Sequence, residues 1–236
     1  MNPPDFFPRS AELRVVHSFQ ELAAAPFAAG VNAVCWPRLL PGDFGEVVDR
    51  LQTGGGITTI DEARLRSLPV SPAGRSAVRC LLEDLRLLRE HGARPELNCL
   101  REYPRDDTEG PVRTDVYSFH ADSAPAEAET WLCTYHGAPS EGLANDQAQR
   151  RVDVPEIRAQ LLADYGGEDD AGFAEYLEEN CYDLHYTPLA GAQPFSFGVG
   201  NLWRIAVAHP GSAVPPCIHR APETGPGTPP RLLLIS

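Results

Sequence analysis

The 236-residue chain sets 33 acidic side chains against 20 basic ones, a formal charge of −13, and all 20 of the basic residues are arginine. Without lysine there is no amine for Schiff-base catalysis, for a phosphate-binding loop or for a lysine general base. An acidic chain with no basic run also repels phosphate backbones and anionic bilayers, so neither nucleic acid nor a membrane is an expected partner.

After a proline-rich start, residues 10–25 read as a short strand and then a helix opened by Ser18, and 31–36 as a buried strand. Residues 41–51 carry Phe44, Val47, Val48 and Leu51 at helical spacing before the triplet Gly54 to Gly56. The clearest helix is 77–91, with Val78, Leu81, Leu82, Leu85 and Leu88 on one face and Gly92 as its stop. From Pro95 onward the texture becomes β-like, with runs at 97–101, 112–120, 130–136, 195–199, 202–208, 217–219 and 231–235. Two helices, 154–164 and 172–180, interrupt that series. The expected fold is therefore α+β, mainly β. One domain over residues 1–236 has a helical N-terminal layer (1–94) and a sandwich or barrel core (95–236) with a helical insertion at about 150–180.

The six cysteines form no C-x-x-C pair and no dense framework, which suits a reducing compartment. The N-terminus lacks the basic-then-apolar pattern of a signal peptide, and no segment reaches 18 uninterrupted apolar residues. A cytoplasmic protein is expected.

The chemistry-bearing pattern is His120-Ala-Asp122 at the end of one β-like run, His219 on a later one, and Arg231 opening the last. Two histidines and one carboxylate on one face hold a divalent ion and leave three coordination positions open. Strand periodicity puts Cys217 and His219 on one face, and Arg231, Leu233 and Ile235 on one face of the last strand. An inward Arg231 there is a buried cation that requires an anion.

The order His-x-Asp, a long strand-rich interval, then His and a basic residue twelve positions later resembles the Fe(II)- and 2-oxoglutarate-dependent dioxygenases. The likeness covers roughly residues 95–236. It implies a double-stranded β-helix (jelly roll) with His120, Asp122 and His219 as the Fe(II) ligands. It also implies that Arg231 pairs with the distal carboxylate of the 2-oxoglutarate co-substrate, and that O₂ and a small molecule are the other reactants. Many members place Ser or Thr two residues after the basic one. Leu233 stands there in this chain, so the co-substrate needs another hydroxyl, from Thr134, Tyr135 or Tyr117. The segment 120–137 also resembles an uncharacterised bacterial domain family with a Phe-His-x-Asp element before a Thr-Tyr-x-Gly turn.

Around this site Arg113 and Arg204 are candidates for an acidic substrate's carboxylate, Trp131 is either a packing residue or a substrate platform, and Cys217 shares the face of His219. The Asp183-Leu-His185 pair reads as structural, and His136 and His209 are substitutes for either histidine ligand. Two rival functions use the same residues. One is a cupin-like metal hydrolase or isomerase without a keto acid. The other is a non-catalytic jelly-roll binding module in which His120 and Asp122 merely order a turn.

Overall fold

The computed structural model describes residues 10–107, 110–224 and 227–236. Residues 1–9, in which no signal peptide is read, and Gly225 and Pro226 of the connection from His219 to Arg231 lie outside the described residues. In chain order, the first part forms β1 (Leu13–Val15), α1 (Phe19–Ala24), β2 (Ala33–Trp36), α2 (Phe44–Leu51), β3 (Ile57–Thr59), α3 (Glu62–Ser67) and α4 (Pro72–Glu90). There follow β4 (Glu96–Leu100), β5 (Phe119–His120), β6 (Glu129–His136), β7 (Glu141–Leu143), β8 (Ala148–Arg150), α5 (Pro155–Tyr165) and α6 (Ala171–Glu179). The chain ends with β9 (His185–Pro188), β10 (Phe195–Ser196), β11 (Leu202–Ala206), β12 (Ile218–Arg220) and β13 (Arg231–Ile235).

The helices begin where their caps dictate. Ser18, Asp43, Asp61 and Ser71 each accept a hydrogen bond from a backbone N–H in the first turn of α1, α2, α3 and α4. With Ser71 as cap and Pro72 at the first helical position, α4 starts earlier than the Ala77 expected from apolar spacing alone.

The fold is α+β, built on two sheets. The larger has seven strands in the order β1-β2-β11-β6-β13-β4-β3, and the smaller has six in the order β10-β7-β12-β5-β9-β8. Alternation along β6 and β13 divides the larger sheet's two faces. Trp131, Cys133, Tyr135, Leu232 and Leu234 pack with Leu22, Val47, Leu81, Leu85 and Leu88 of the helical layer. Leu132, Leu233, Trp203 and Ile205 face the other way, against Phe197 and Cys217 from the margins of the smaller sheet. Residues before 95 are more than a helical cover, because β1 and β2 extend one edge of the larger sheet and β3 the other.

A buried ion pair locks the helical layer to the sheet. The Arg38 Nη1 donates to Asp84 Oδ1 at 2.6 Å, its Nε donates to the Gly200 carbonyl at 2.9 Å, and the Tyr135 hydroxyl donates to Asp84 Oδ2 at 2.6 Å. Asp84 is 3% exposed, so Asp84→Ala leaves a buried arginine without its counter-ion. The expected loss is about 3–5 kcal/mol in urea unfolding. A wild-type midpoint would show that the pair does not hold the layer in place.

Two expectations about strands are corrected. The run expected at 112–120 shrinks to β5, because Asp115 accepts a hydrogen bond from its own Tyr117 N–H at 3.1 Å and another from the Asp106 N–H at 3.2 Å. Such side-chain bonds compete with a ladder. Strands β3, β7, β8 and β9 were not expected. Gly142 explains the weak signal of β7: a Cβ there would lie 2.4 Å from Phe195 and 2.7 Å from Phe197, so an uninformative residue sits where the rings need the space. The insertion helices α5 and α6 lie where spacing placed them, packed on a separate cluster of Val112, Val152, Leu161, Phe173 and Leu177.

Candidate metal centre

The site begins with register across the smaller sheet. His219 of β12 is the direct partner of His120 of β5, which in turn is the partner of His185 of β9. Directly paired residues present their side chains on the same face. Phe119, Ile218, Leu143 and Tyr186 occupy the opposite face in a cluster of their own, so the three imidazoles point the other way. The chain leaving β5 is pinned by two backbone bonds, Ala121 N–H to Leu184 O at 3.0 Å and Ala208 N–H to Asp122 O at 2.8 Å. These bonds carry Asp122 back over the histidine row.

His120, Asp122 and His219 form a group whose ligand atoms all lie within 4.8 Å of one another, and it can hold a metal ion. His120 Nδ1 lies 2.8 Å from the Ser118 carbonyl and His219 Nδ1 3.3 Å from the Cys217 carbonyl. A carbonyl only accepts, so each Nδ1 carries a proton, and Nε2 is the nitrogen left to face an ion. Both Nε2 atoms face Asp122 Oδ1, at 3.9 Å for His120 and 3.8 Å for His219. Those separations are too long for hydrogen bonds. They also exceed the roughly 3.0–3.5 Å between neighbouring ligands of an ion with bonds of about 2.0–2.2 Å, so the three donors would close in around a bound ion. The other carboxylate oxygen, Asp122 Oδ2, accepts from Thr130 Oγ1 at 2.6 Å, which orients the ligand oxygen as an outer-shell partner does.

The electrostatics keep the donor set in its ligating state. Burial, reinforced by the neighbouring His219, pushes His120 down to about 4, so its imidazole is neutral at ordinary pH. Burial works against ionisation of Asp122, but the His219 ring, the Thr130 hydroxyl and the His120 ring outweigh it and hold the carboxyl below its usual range.

Arg231 opens β13 on the inner face of the larger sheet and is 1% exposed. Its Nη1 donates to the Tyr103 hydroxyl at 2.9 Å, and its Nη2 to Thr134 Oγ1 at 3.2 Å and Ser140 Oγ at 3.0 Å. Its Nε–H has no partner and, among the described residues, no carboxylate pairs with it. Burial pulls the guanidinium below its ordinary value, against the opposing pull of Tyr103. Thr130, Leu132 and Thr134 share the inner face of β6, so that face connects Asp122 at one end with Arg231 at the other.

Four of the expected site residues, Tyr135, Trp131, Arg204 and Arg113, are not at the site. Tyr135 follows Thr134 on β6, so alternation turns it to the helical side, where its hydroxyl is held by Asp84. Trp131 shares that side and stacks on Phe19 at 5.8 Å. Arg204 of β11 is spent on the carbonyls of Ala23 and Ala25 and on Glu129, tying the end of α1 to the sheet. Arg113 is exposed in the turn before β5. Cys217 lies buried between the sheets with Phe197 and Trp203. Tyr117 is one step removed from Arg231, its hydroxyl accepting from the Tyr103 N–H at 3.1 Å and pairing with Thr224 at 2.5 Å. His136 sits beside Gly45 of α2, and His209 is in an exposed turn.

Four residues of the site were not selected from the sequence: Tyr103, Ser140, Thr130 and His185. Tyr103 and Ser140 lie in loops with no local pattern, and Thr130 differs in no local way from the other residues of its strand. His185 carried a signal, the Asp183-Leu-His185 pair, whose alternation resembles that of His120 and Asp122. Among the described residues no helix is long and apolar enough to cross a membrane. No protein-family model matches the chain, and neither does any curated protein. What distinguishes it is the His120–Asp122–His219 group, able to hold a metal ion between two sheets.

Proposed function

We propose that this protein is a non-haem Fe(II)- and 2-oxoglutarate-dependent dioxygenase that oxidises a small molecule. One observation carries the reading: a fully buried arginine that has no acidic partner among the described residues faces the same inter-sheet space as a two-histidine, one-carboxylate group. A hydrolase or isomerase of a neutral substrate has no use for such a cation. A keto diacid does, since one end can chelate the metal while the other neutralises the arginine.

The wiring of the sheets supports the same reading. Take β4, β5, β6, β7, β10, β11, β12 and β13 as eight strands numbered in order. The larger sheet then contains 6-3-8-1 and the smaller 5-4-7-2, with all neighbours antiparallel. That is the strand order of a jelly roll, and it sets the histidine of strand seven beside that of strand two.

Each residue then has a task. His120 and His219 offer their Nε2 atoms, and Asp122 offers Oδ1 while Thr130 holds Oδ2. Arg231 receives the distal carboxylate through its free Nε–H, and the hydroxyls of Tyr103, Thr134 and Ser140 hold the guanidinium still. Leu132, Leu233, Phe197 and Trp203 wall the space with apolar surface and exclude water. The chemistry supplied by bound Fe(II) is the coupling of keto-acid decarboxylation by O₂, to succinate and carbon dioxide, with oxidation of a substrate C–H bond.

The test is spectroscopic. Fe(II) and 2-oxoglutarate added together without oxygen should produce a weak visible charge-transfer band, and admission of O₂ with a metabolite pool should release succinate. Absence of Fe(II) binding, or a spectrum indifferent to 2-oxoglutarate, would overturn the proposal.

A further inference from the structure

The third histidine of the row is unassigned by the scheme above. His185 is 4% exposed and directly opposite His120, with ring centroids 5.8 Å apart. Its Nδ1 lies 2.5 Å from Ser118 Oγ. That hydroxyl is also 3.0 Å from the Asp115 carbonyl and 3.2 Å from the Arg113 carbonyl. The carbonyls can only accept, so when the single hydroxyl proton goes to one of them His185 Nδ1–H donates to the oxygen. In that tautomer His185 Nε2 keeps its lone pair. Among the described residues this Nε2 has no hydrogen-bond partner. An acceptor beside a metal group, fixed through its other nitrogen and without a protein partner, is open to a donor from a ligand.

His185 is not a fourth ligand to the same ion, for it falls outside the set of atoms within 4.8 Å of one another. It flanks His120 on the side away from His219. We propose that His185 is a positioning residue: its Nε2 accepts a hydrogen bond from a water coordinated to the metal beside His120, and from the hydroxyl or amine of a substrate that takes the water's place. The inference rests on the metal reading of His120, Asp122 and His219, and it selects substrates that present a hydrogen-bond donor on this side.

The experiment uses Co(II) alone as probe, with the full chain. His185→Phe, which keeps the ring and removes both nitrogens, should weaken Co(II) binding about tenfold, the scale of an outer-shell loss, and shift the visible spectrum. His185→Gln, which returns an acceptor near the Nε2 position, should recover both. Wild-type affinity and an unchanged spectrum in His185→Phe would overturn the inference while leaving the metal reading intact. Failure of the wild-type protein to bind Co(II) would remove both. A measurement on unaltered protein guards against a misfolded variant: nitrogen-15 correlation spectra of the histidine rings should show His185 protonated at Nδ1, and an Nε2–H tautomer would refute the assignment.

Discussion

Asp122→Ala is expected to abolish divalent-metal binding. The carboxylate is the only anionic donor of the group, and its Oδ1 stands about equally far from both histidine Nε2 atoms. Losing it removes a direct ligand and all of the negative charge that the group sets against the ion, so the loss should exceed the roughly 10–100-fold that follows removal of an outer-shell partner. The apo fold should survive, because the substitution orphans little more than the Thr130 hydroxyl, a cost of about 1 kcal/mol. Thermal unfolding separates the two effects. A wild-type protein at a metal concentration 100 times its dissociation constant gains about 2.7 kcal/mol from binding, and the variant should gain nothing. Equal metal-induced stabilisation of both proteins would dismiss His120, Asp122 and His219 as a metal site.

Arg231→Met is the second large change, and its two consequences have opposite signs. The guanidinium lies buried among neutral hydroxyls with no carboxylate among the described residues to compensate it, so in the apo protein it is a burden. Methionine, of similar length and apolar, should raise the apo melting temperature, by about 1–3 kcal/mol of stability. The same change should remove 2-oxoglutarate binding. A charge-assisted contact to a carboxylate contributes about 1.5–3 kcal/mol, so affinity should fall at least about tenfold, with metal affinity unchanged. Calorimetry of 2-oxoglutarate binding to the Co(II) form reads the second effect and thermal unfolding the first. A variant that is both less stable and unimpaired in co-substrate binding would mean that Arg231 is structural. Stability sacrificed at a site for the sake of binding is a common signature of function.

The distance between Arg231 and its partners shows how far local pattern reaches. Tyr103 and Ser140 lie 128 and 91 residues away in sequence, both in loops, and neither carries a spacing signal. No local rule could have preferred them to Thr134, Tyr135 or Tyr117. Of those three, Thr134 and Tyr135 are adjacent on β6, so period-two geometry requires that they face opposite ways. Which one faces inward depends on what packs against each face: α4 brings Asp84 to the tyrosine, and β13 brings Arg231 to the threonine.

Much of the architecture is local and was readable as such. The helical spacing of α2 and α4, the two insertion helices, the strands around β4, β6, β11 and β13, and the His-x-Asp at a strand's end each depend on residues within one element. The absence of lysine removes whole reaction classes for a purely chemical reason, with no reference to the fold. Tertiary structure decided what lies across strands. Register put His219, His120 and His185 in one row, although the chain separates them by long loops and two helices. A single-residue slip would have turned any one of them to the opposite face. The pairing of the sheets, which no stretch of sequence states, turned scattered histidines, one aspartate and one arginine into a common inter-sheet site.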